Sequence, residues 1–177
     1  MSHSVRFRLD DDAAAELTAL RARLRAAGIA VPTDRPAVTF AAAAAIPPAA
    51  RAALADELRV LALPALWLAI LGTIAGRDDE LVLAAIVDAE LLAVHAAVHD
   101  ALTGRVRAPA AAYLPGAWLP HCTLSHERPA AAFALLHPFP PVRAGVIGVE
   151  LVDTRTGAAE PIAWTRGSRE DQRYRGP

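Results

Sequence analysis

The chain reads as an α+β protein, and three observations predict it. Strand-like and helix-like stretches follow one another without a regular β-α-β rhythm, which disfavours a doubly wound parallel sheet. Some short segments alternate apolar and polar side chains with a period of two, whereas others carry an apolar stripe at helical spacing. Prolines and glycines punctuate the boundaries between them.

Taken in order, Val5, Phe7 and Leu9 alternate with Ser4, Arg6 and Arg8 and predict a half-buried strand. Asp10, Asp11 and Asp12 place carboxylates at the positive end of a helix. Leu17, Leu20 and Leu24 form its stripe and Gly28 is its stop. A loop with Pro32 and Pro36 leads into AVTFAAA (37–43), a short strand. PPAARAALADELRVL (47–61) is a second helix, its prolines at a start that tolerates them. ALWLAILGTIA (65–75) and ELVLAAIVD (80–88) are apolar strands separated by a turn at GRDD (76–79). AELLAVHAAVHDALTG (89–104) is a third helix. RVRAPAAAYLPGAW (105–118) is a long Pro/Gly loop of the kind that borders sites. HCTLSHE (121–127) is a strand and PAAAFALLHPF (129–139) a short helix, and VRAGVIGVELVDTR (142–155) and PIAWTR (161–166) are closing strands.

Composition sets the bounds. A chain of 177 residues is one domain or two small lobes folded together. Its 54% apolar content owes much to alanine. No breaker-free apolar run reaches the ~18 residues of a membrane span, since LALPALWLAILGTIAG is interrupted by Pro64 and two glycines. The start, MSHSVRFRLDDD, lacks a signal-peptide core, so a cytoplasmic location is expected. The lone Cys122 excludes an intrachain disulfide framework and a multi-cysteine metal site. The net charge of −1 argues against indiscriminate nucleic-acid binding. All 18 basic residues are arginines, which fits a genome rich in Arg and Ala codons better than dedicated phosphate recognition. They are concentrated only in the tail TRGSREDQRYRGP, whose residues 166–177 are expected to be flexible.

The stretch WLPHCTLSHE (118–127) raises the functional question. On a regular strand His121, Thr123 and Ser125 share one face, Cys122 and Leu124 point the other way, and His126 falls opposite His121. A titratable group beside a hydroxyl suggests chemistry, and the apolar partners suggest core. RPAVTF (35–40) echoes LPHCTL (119–124): Pro, two residues, Thr, then a large apolar residue. Thr39 and Thr123 lie 84 positions apart, nearly half the chain, and each pattern follows a loop and precedes a helix. The echo reads as an internal duplication in which two related lobes line one cleft from opposite sides.

With these motifs, and with the segments YLPGAWLPHCTL and IGVELVDTRTG, the chain resembles the two-histidine (2H) phosphoesterases, or 2′-5′ RNA ligase-like proteins, over roughly residues 3–165. Their signature is a pair of His-x-Thr/Ser-apolar motifs, one per lobe. The resemblance implies a single bilobal α+β domain over 1–165, with pseudo-two-fold symmetry, antiparallel sheets lining a central groove and helices outside. It implies action on RNA-type phosphodiesters, 2′,3′-cyclic ends or 2′-5′ linkages, with neither metal nor cofactor. Two imidazoles would share the acid and base work, and threonine hydroxyls would donate to the non-bridging oxygens. His121, Thr123 and Thr39 match the motif positions.

Ala37 is the departure: it stands where the first motif requires histidine. Losing an acid or base costs about 10² to 10⁴ in rate, so hydrolysis is expected to be weak or lost. A non-catalytic phosphoester-binding module, a substitute group, or an engineered change that holds a substrate would each account for Ala37. Among other candidates, Arg35 and Arg143 are proposed phosphate contacts, and Tyr113 and Trp118 could stack a nucleobase. His3 is a remote candidate to substitute for the missing imidazole. His95 and His99, at i and i+4, read as packing and surface positions rather than metal ligands. Cys122 reads as core and His137 as a helix end. The expected partner is a nucleotide or RNA-end phosphodiester bound by a monomer, with no membrane.

Overall fold

The computed structural model describes residues 2–162. The expected flexible tail, and the last strand beyond Ile162, lie outside the described residues. Within them the chain is a mixed α+β structure of four α-helices and two wholly antiparallel sheets. In chain order the elements are β1 (His3–Leu9), α1 (Asp11–Ala26), β2 (Ala37–Ala45), α2 (Pro48–Leu58), β3 (Leu66–Ile74), β4 (Arg77–Ile86), α3 (Ala89–Leu102), β5 (Arg107–Pro109), β6 (His121–Ser125), α4 (Pro129–Leu136), β7 (Val142–Ala144), β8 (Val146–Asp153) and β9 (Ala159–Ile162). One sheet has the order β5-β2-β1-β8-β9 and the other β6-β4-β3-β7.

Local sequence explains most element boundaries. Asp10 caps α1: its carboxylate accepts from Ala13 N–H at 2.8 Å, and Asp11 and Asp12 occupy the first turn. Asp88 caps α3 in the same way, accepting from Leu91 N–H at 2.8 Å. Pro48 and Pro129 stand in the first turns of α2 and α4, where a missing N–H loses nothing. The stripe Leu17, Leu20 and Leu24 is buried, as are Val5, Phe7 and Leu9, and these join a single contiguous core. α1 and α4 pack together on the four-stranded sheet, while α3 packs on β2 and against α2. α1 therefore leaves the five-stranded sheet through β1 and packs on the other one. α3 makes the opposite exchange.

The structure corrects the sequence reading at three places that matter for the site. The turn expected at 76–79 is the two-residue Ala75-Gly76 hairpin, with Gly76 at φ +79°, so Arg77 through Glu80 belong to β4. The segment 142–155 is two strands in different sheets, broken at Gly145, whose N–H is held by the Asp10 carboxylate. The loop at 105–118 contains β5 and a 3₁₀ turn at Ala111–Tyr113.

Two β-bulges complete the frame. Val5 lies opposite Ala41 and Arg6 opposite Thr39, which leaves Phe40 as the extra residue on β2. Leu81 lies opposite Ser125 and Val82 opposite Thr123, which leaves Leu124 as the extra residue on β6. In both strands the bulged residue is the large apolar one directly after the threonine. A bulge resets the alternation of side chains beyond it.

Candidate functional site

β2 and β6 approach each other across the two sheets. Along β2, Val38 and Phe40 are buried while Ala37 and Thr39 are half-buried. Along β6, Cys122 and Leu124 are buried while His121 and Thr123 are half-buried. Period-two alternation thus sends Ala37, Thr39, His121 and Thr123 into one pocket of about 260 Å³. Its remaining polar wall comes from Arg6 on β1, Arg21 on α1, Asp34 before β2, Arg77 on β4, Tyr113 and His126. Three guanidinium groups outnumber the Asp34 and Glu80 carboxylates, with which Arg6 pairs at 2.6 Å and Arg77 at 3.3 Å, so the pocket wall keeps an excess of positive charge that suits an anion.

His121 is held in a defined orientation. Its Nδ1–H donates to the Leu119 carbonyl at 2.7 Å, which fixes the tautomer and leaves the Nε2 lone pair directed away. Arg77 Nη2 approaches that lone pair at 3.4 Å. Burial holds the imidazole pKa below its usual value of 6.5, and the Arg77 charge acts in the same direction against the opposing Leu119 and Glu80 contributions. The resting ring is neutral at neutral pH, the state a general base requires.

The two threonines are supported reciprocally. β6 is an edge strand, and β5 covers β2 only at Ala43 and Ala45, so each threonine has a strand flank without a ladder partner. Arg21 donates to the Thr123 carbonyl through Nε at 3.1 Å and Nη2 at 2.8 Å. Its Nη1 donates to the Asp34 carbonyl at 2.7 Å. Trp118 Nε1 donates to the Thr39 carbonyl at 2.9 Å. A donor from each half of the chain thus caps the threonine strand of the other half, and the buried carbonyls are satisfied.

The sequence-derived candidates divide. His121, Thr123, Thr39, Ala37 and Tyr113 line the pocket together. Trp118 does not line it: its ring stacks on His95 with centroids 4.0 Å apart and packs against Phe40. Arg35 bonds the Leu9 carbonyl and pairs with Asp11 at 2.6 Å, in a neighbouring depression. Arg143 sits on β7, opposite Trp67 and at the sheet edge remote from β6. His3 opens β1 between Ala43 and Asp153, outside the pocket lining. His95 is buried and bonded to the Tyr113 carbonyl at 2.9 Å, and His99 reaches the Phe40 carbonyl at 3.3 Å; both are packing residues. Burial pushes the pKa of the fully buried Cys122 thiol up. His137 caps the end of α4.

Two face assignments are corrected. Ser125 does not join His121 and Thr123; it is fully buried. His126 lines the same pocket as His121 rather than the opposite face. The bulge at Leu124 and the end of the strand at Ser125 cause both changes. Sequence reasoning also missed Arg6, Arg21, Arg77 and Asp34. A signal for Arg21 was present, because it lies four residues after Leu17 and three before Leu24, on the buried stripe. Arg6 sat on the polar face of an amphipathic strand, which is ordinarily solvent.

Among the described residues no group of three or more His, Cys, Asp or Glu side chains is placed to hold a metal ion, and no helix is long and apolar enough to cross a membrane. Neither the protein-family models nor the curated proteins compared with this chain match it.

Proposed function

We propose that the pocket binds an RNA-type phosphodiester, a 2′,3′-cyclic phosphate or a 2′-5′ linkage, in a bilobal protein of the 2H phosphoesterase class. The observation that carries this reading is the convergence of Thr39, Thr123 and His121 with Arg6, Arg21 and Arg77 in one small pocket. The matched bulges after Thr39 and Thr123, the reciprocal carbonyl capping and the exchange of α1 and α3 support a duplicated origin.

In this reading the two threonine hydroxyls donate to the non-bridging oxygens. Arg77 swings from His121 Nε2 to the phosphate and frees the lone pair. Nε2 then takes a proton from the attacking water as the phosphorus is attacked. Hydrogen-bond donors set in place before charge develops are worth several kcal/mol when aimed correctly (roughly 3–4 for one donor). Ala37 offers no proton to the leaving oxygen, so turnover by the two motifs alone is weak. That same absence favours a second reading, a module that binds phosphoesters without turning them over.

Titration calorimetry with adenosine 2′-monophosphate tests the pocket independently of turnover. The chain is expected to bind it, and Arg77→Met and Thr123→Val are each expected to weaken binding several-fold. No binding by the folded parent chain would sink the reading.

A further inference from the structure

We propose that His126 supplies the second imidazole of this pocket and acts as the general acid for the leaving oxygen. This inference rests on the phosphodiester reading above and extends it to a residue outside both motifs. On an unbulged strand His126 would face away from His121. The extra residue Leu124 shifts the alternation and β6 ends at Ser125, so the pocket-lining series is His121 and Thr123 on β6 and His126 just beyond its end. Thr123, the phosphate donor, lies between the two rings. At about 3.3 Å per residue, and with one residue absorbed by the bulge, β6 carries the chain roughly 10 Å from His121 to Ser125, and His126 follows one residue beyond. Rings leaning inward from that separation can flank a phosphate seated at Thr123.

A chain of polar contacts joins the two rings on the pocket wall. Arg77 Nη2 is 3.4 Å from His121 Nε2, Arg77 Nη1 is 3.3 Å from Glu80 Oε2, and Glu80 Oε1 is 3.7 Å from His126 Nδ1. His121 thus spends Nδ1 on the Leu119 carbonyl, and the His126 Nδ1 side faces the Glu80 carboxylate at ion-pair distance, which leaves Nε2 of each ring for the substrate. Glu80 is mostly buried, with 20% of its side chain exposed, whereas His126 is 51% exposed and can exchange protons with solvent. The other charged groups round the pocket are Arg6 on β1, Arg21 on α1 and Asp34.

The proton balance closes without another reactant than water. Water attacks phosphorus and gives a proton to His121 Nε2. The P–O bond to the ribose oxygen breaks, and that oxygen takes the proton from the His126 imidazolium. A phosphomonoester leaves, and the two rings return to their starting states by exchange with solvent.

The test is hydrolysis of adenosine 2′,3′-cyclic phosphate across pH by the parent chain and its His121→Ala, His126→Gln, Tyr113→Phe, Ala37→His and Ala37→His/His126→Gln variants. Parent turnover is expected, lost at least 100-fold in His126→Gln. Ala37→His should restore turnover to the His126→Gln background. Retained binding of adenosine 2′-monophosphate by His126→Gln would separate lost chemistry from a lost fold. The proposal is overturned if His126→Gln keeps parental turnover, or if the loss falls on Tyr113→Phe instead. It is also overturned if the parent is silent while Ala37→His is active, an outcome that leaves the phosphodiester reading standing. Silence and absent binding in the folded parent and Ala37→His alike would remove that reading, and this inference with it.

Discussion

On β6 the residue two before the threonine is His121; on β2 it is Ala37. The strands otherwise share a construction. Each sends that residue and its threonine into the pocket, each carries a bulge at the next apolar residue, and each has its threonine carbonyl capped by a side chain from the other half. The caps differ. Arg21 is a buried cation with two bonds to Thr123 O and a third to Asp34 O, whereas Trp118 offers β2 one neutral donor. The strand that carries the histidine is the more firmly held. The comparison teaches that the frame of a site and its reacting groups are separable: the two strands share their backbone construction although only β6 carries an imidazole at that position.

The largest expected effect separates the two strands chemically. His121→Ala should cut hydrolysis of a 2′,3′-cyclic nucleotide by about 10² to 10⁴, or roughly 3–5 kcal/mol of barrier, whereas Ala37→Ser should change it less than about tenfold. Equal losses in a steady-state assay would contradict the division of roles. The pH profile sharpens the point. Since burial lowers the His121 pKa, the neutral base forms as pH rises through a value below 6.5, and the acid limb of kcat/KM should lie below that value.

The next effect concerns the caps. Arg21→Met should destabilise the fold by about 2–4 kcal/mol, because it strips donors from two carbonyls at once. Denaturant unfolding measures it, and a loss under 1 kcal/mol would show that the clamp is dispensable. Trp118→Phe, which removes one neutral bond but keeps an aromatic ring against His95, should cost about 1 kcal/mol from the lost hydrogen bond.

Between these lies a pH effect on the β2 side. Burial lowers the His95 pKa from 6.5 to about 4, helped by the neighbouring His99. The unfolded chain therefore binds a proton that the folded chain refuses between pH 6.5 and about 4. Stability is fully present above 6.5, declines as pH falls through that window, and levels off below it, by up to about 3 kcal/mol in all. His121 shifts in the same direction. The His95 contribution should vanish from the pH dependence of His95→Gln unfolding. An unchanged slope would place its source elsewhere.

Whatever depends on a few consecutive residues was legible. The strand period of Val5-Phe7-Leu9 and the stripe of α1 gave the elements, the aspartates at 10–12 marked a helix start, and the Pro-x-x-Thr echo located both pocket strands. What escaped depends on pairing partners. Moving the β3–β4 turn from 76–79 to Ala75-Gly76 is what puts Arg77 within reach of His121. The break at Gly145 is visible only once its flanking strands are seen in different sheets.

The sequence by itself determined that this is an α+β chain with two Pro-x-x-Thr strands, one with His and the other with Ala two residues before the threonine. Those are matters of side-chain period and residue identity, both local. Only the tertiary structure decided which other groups share the pocket. A bulge is a mismatch between two strands, so neither strand alone encodes where His126 will point. Arg21, Arg6 and Arg77 come from elements far apart in sequence, and they meet because helices and sheets exchange partners across the core.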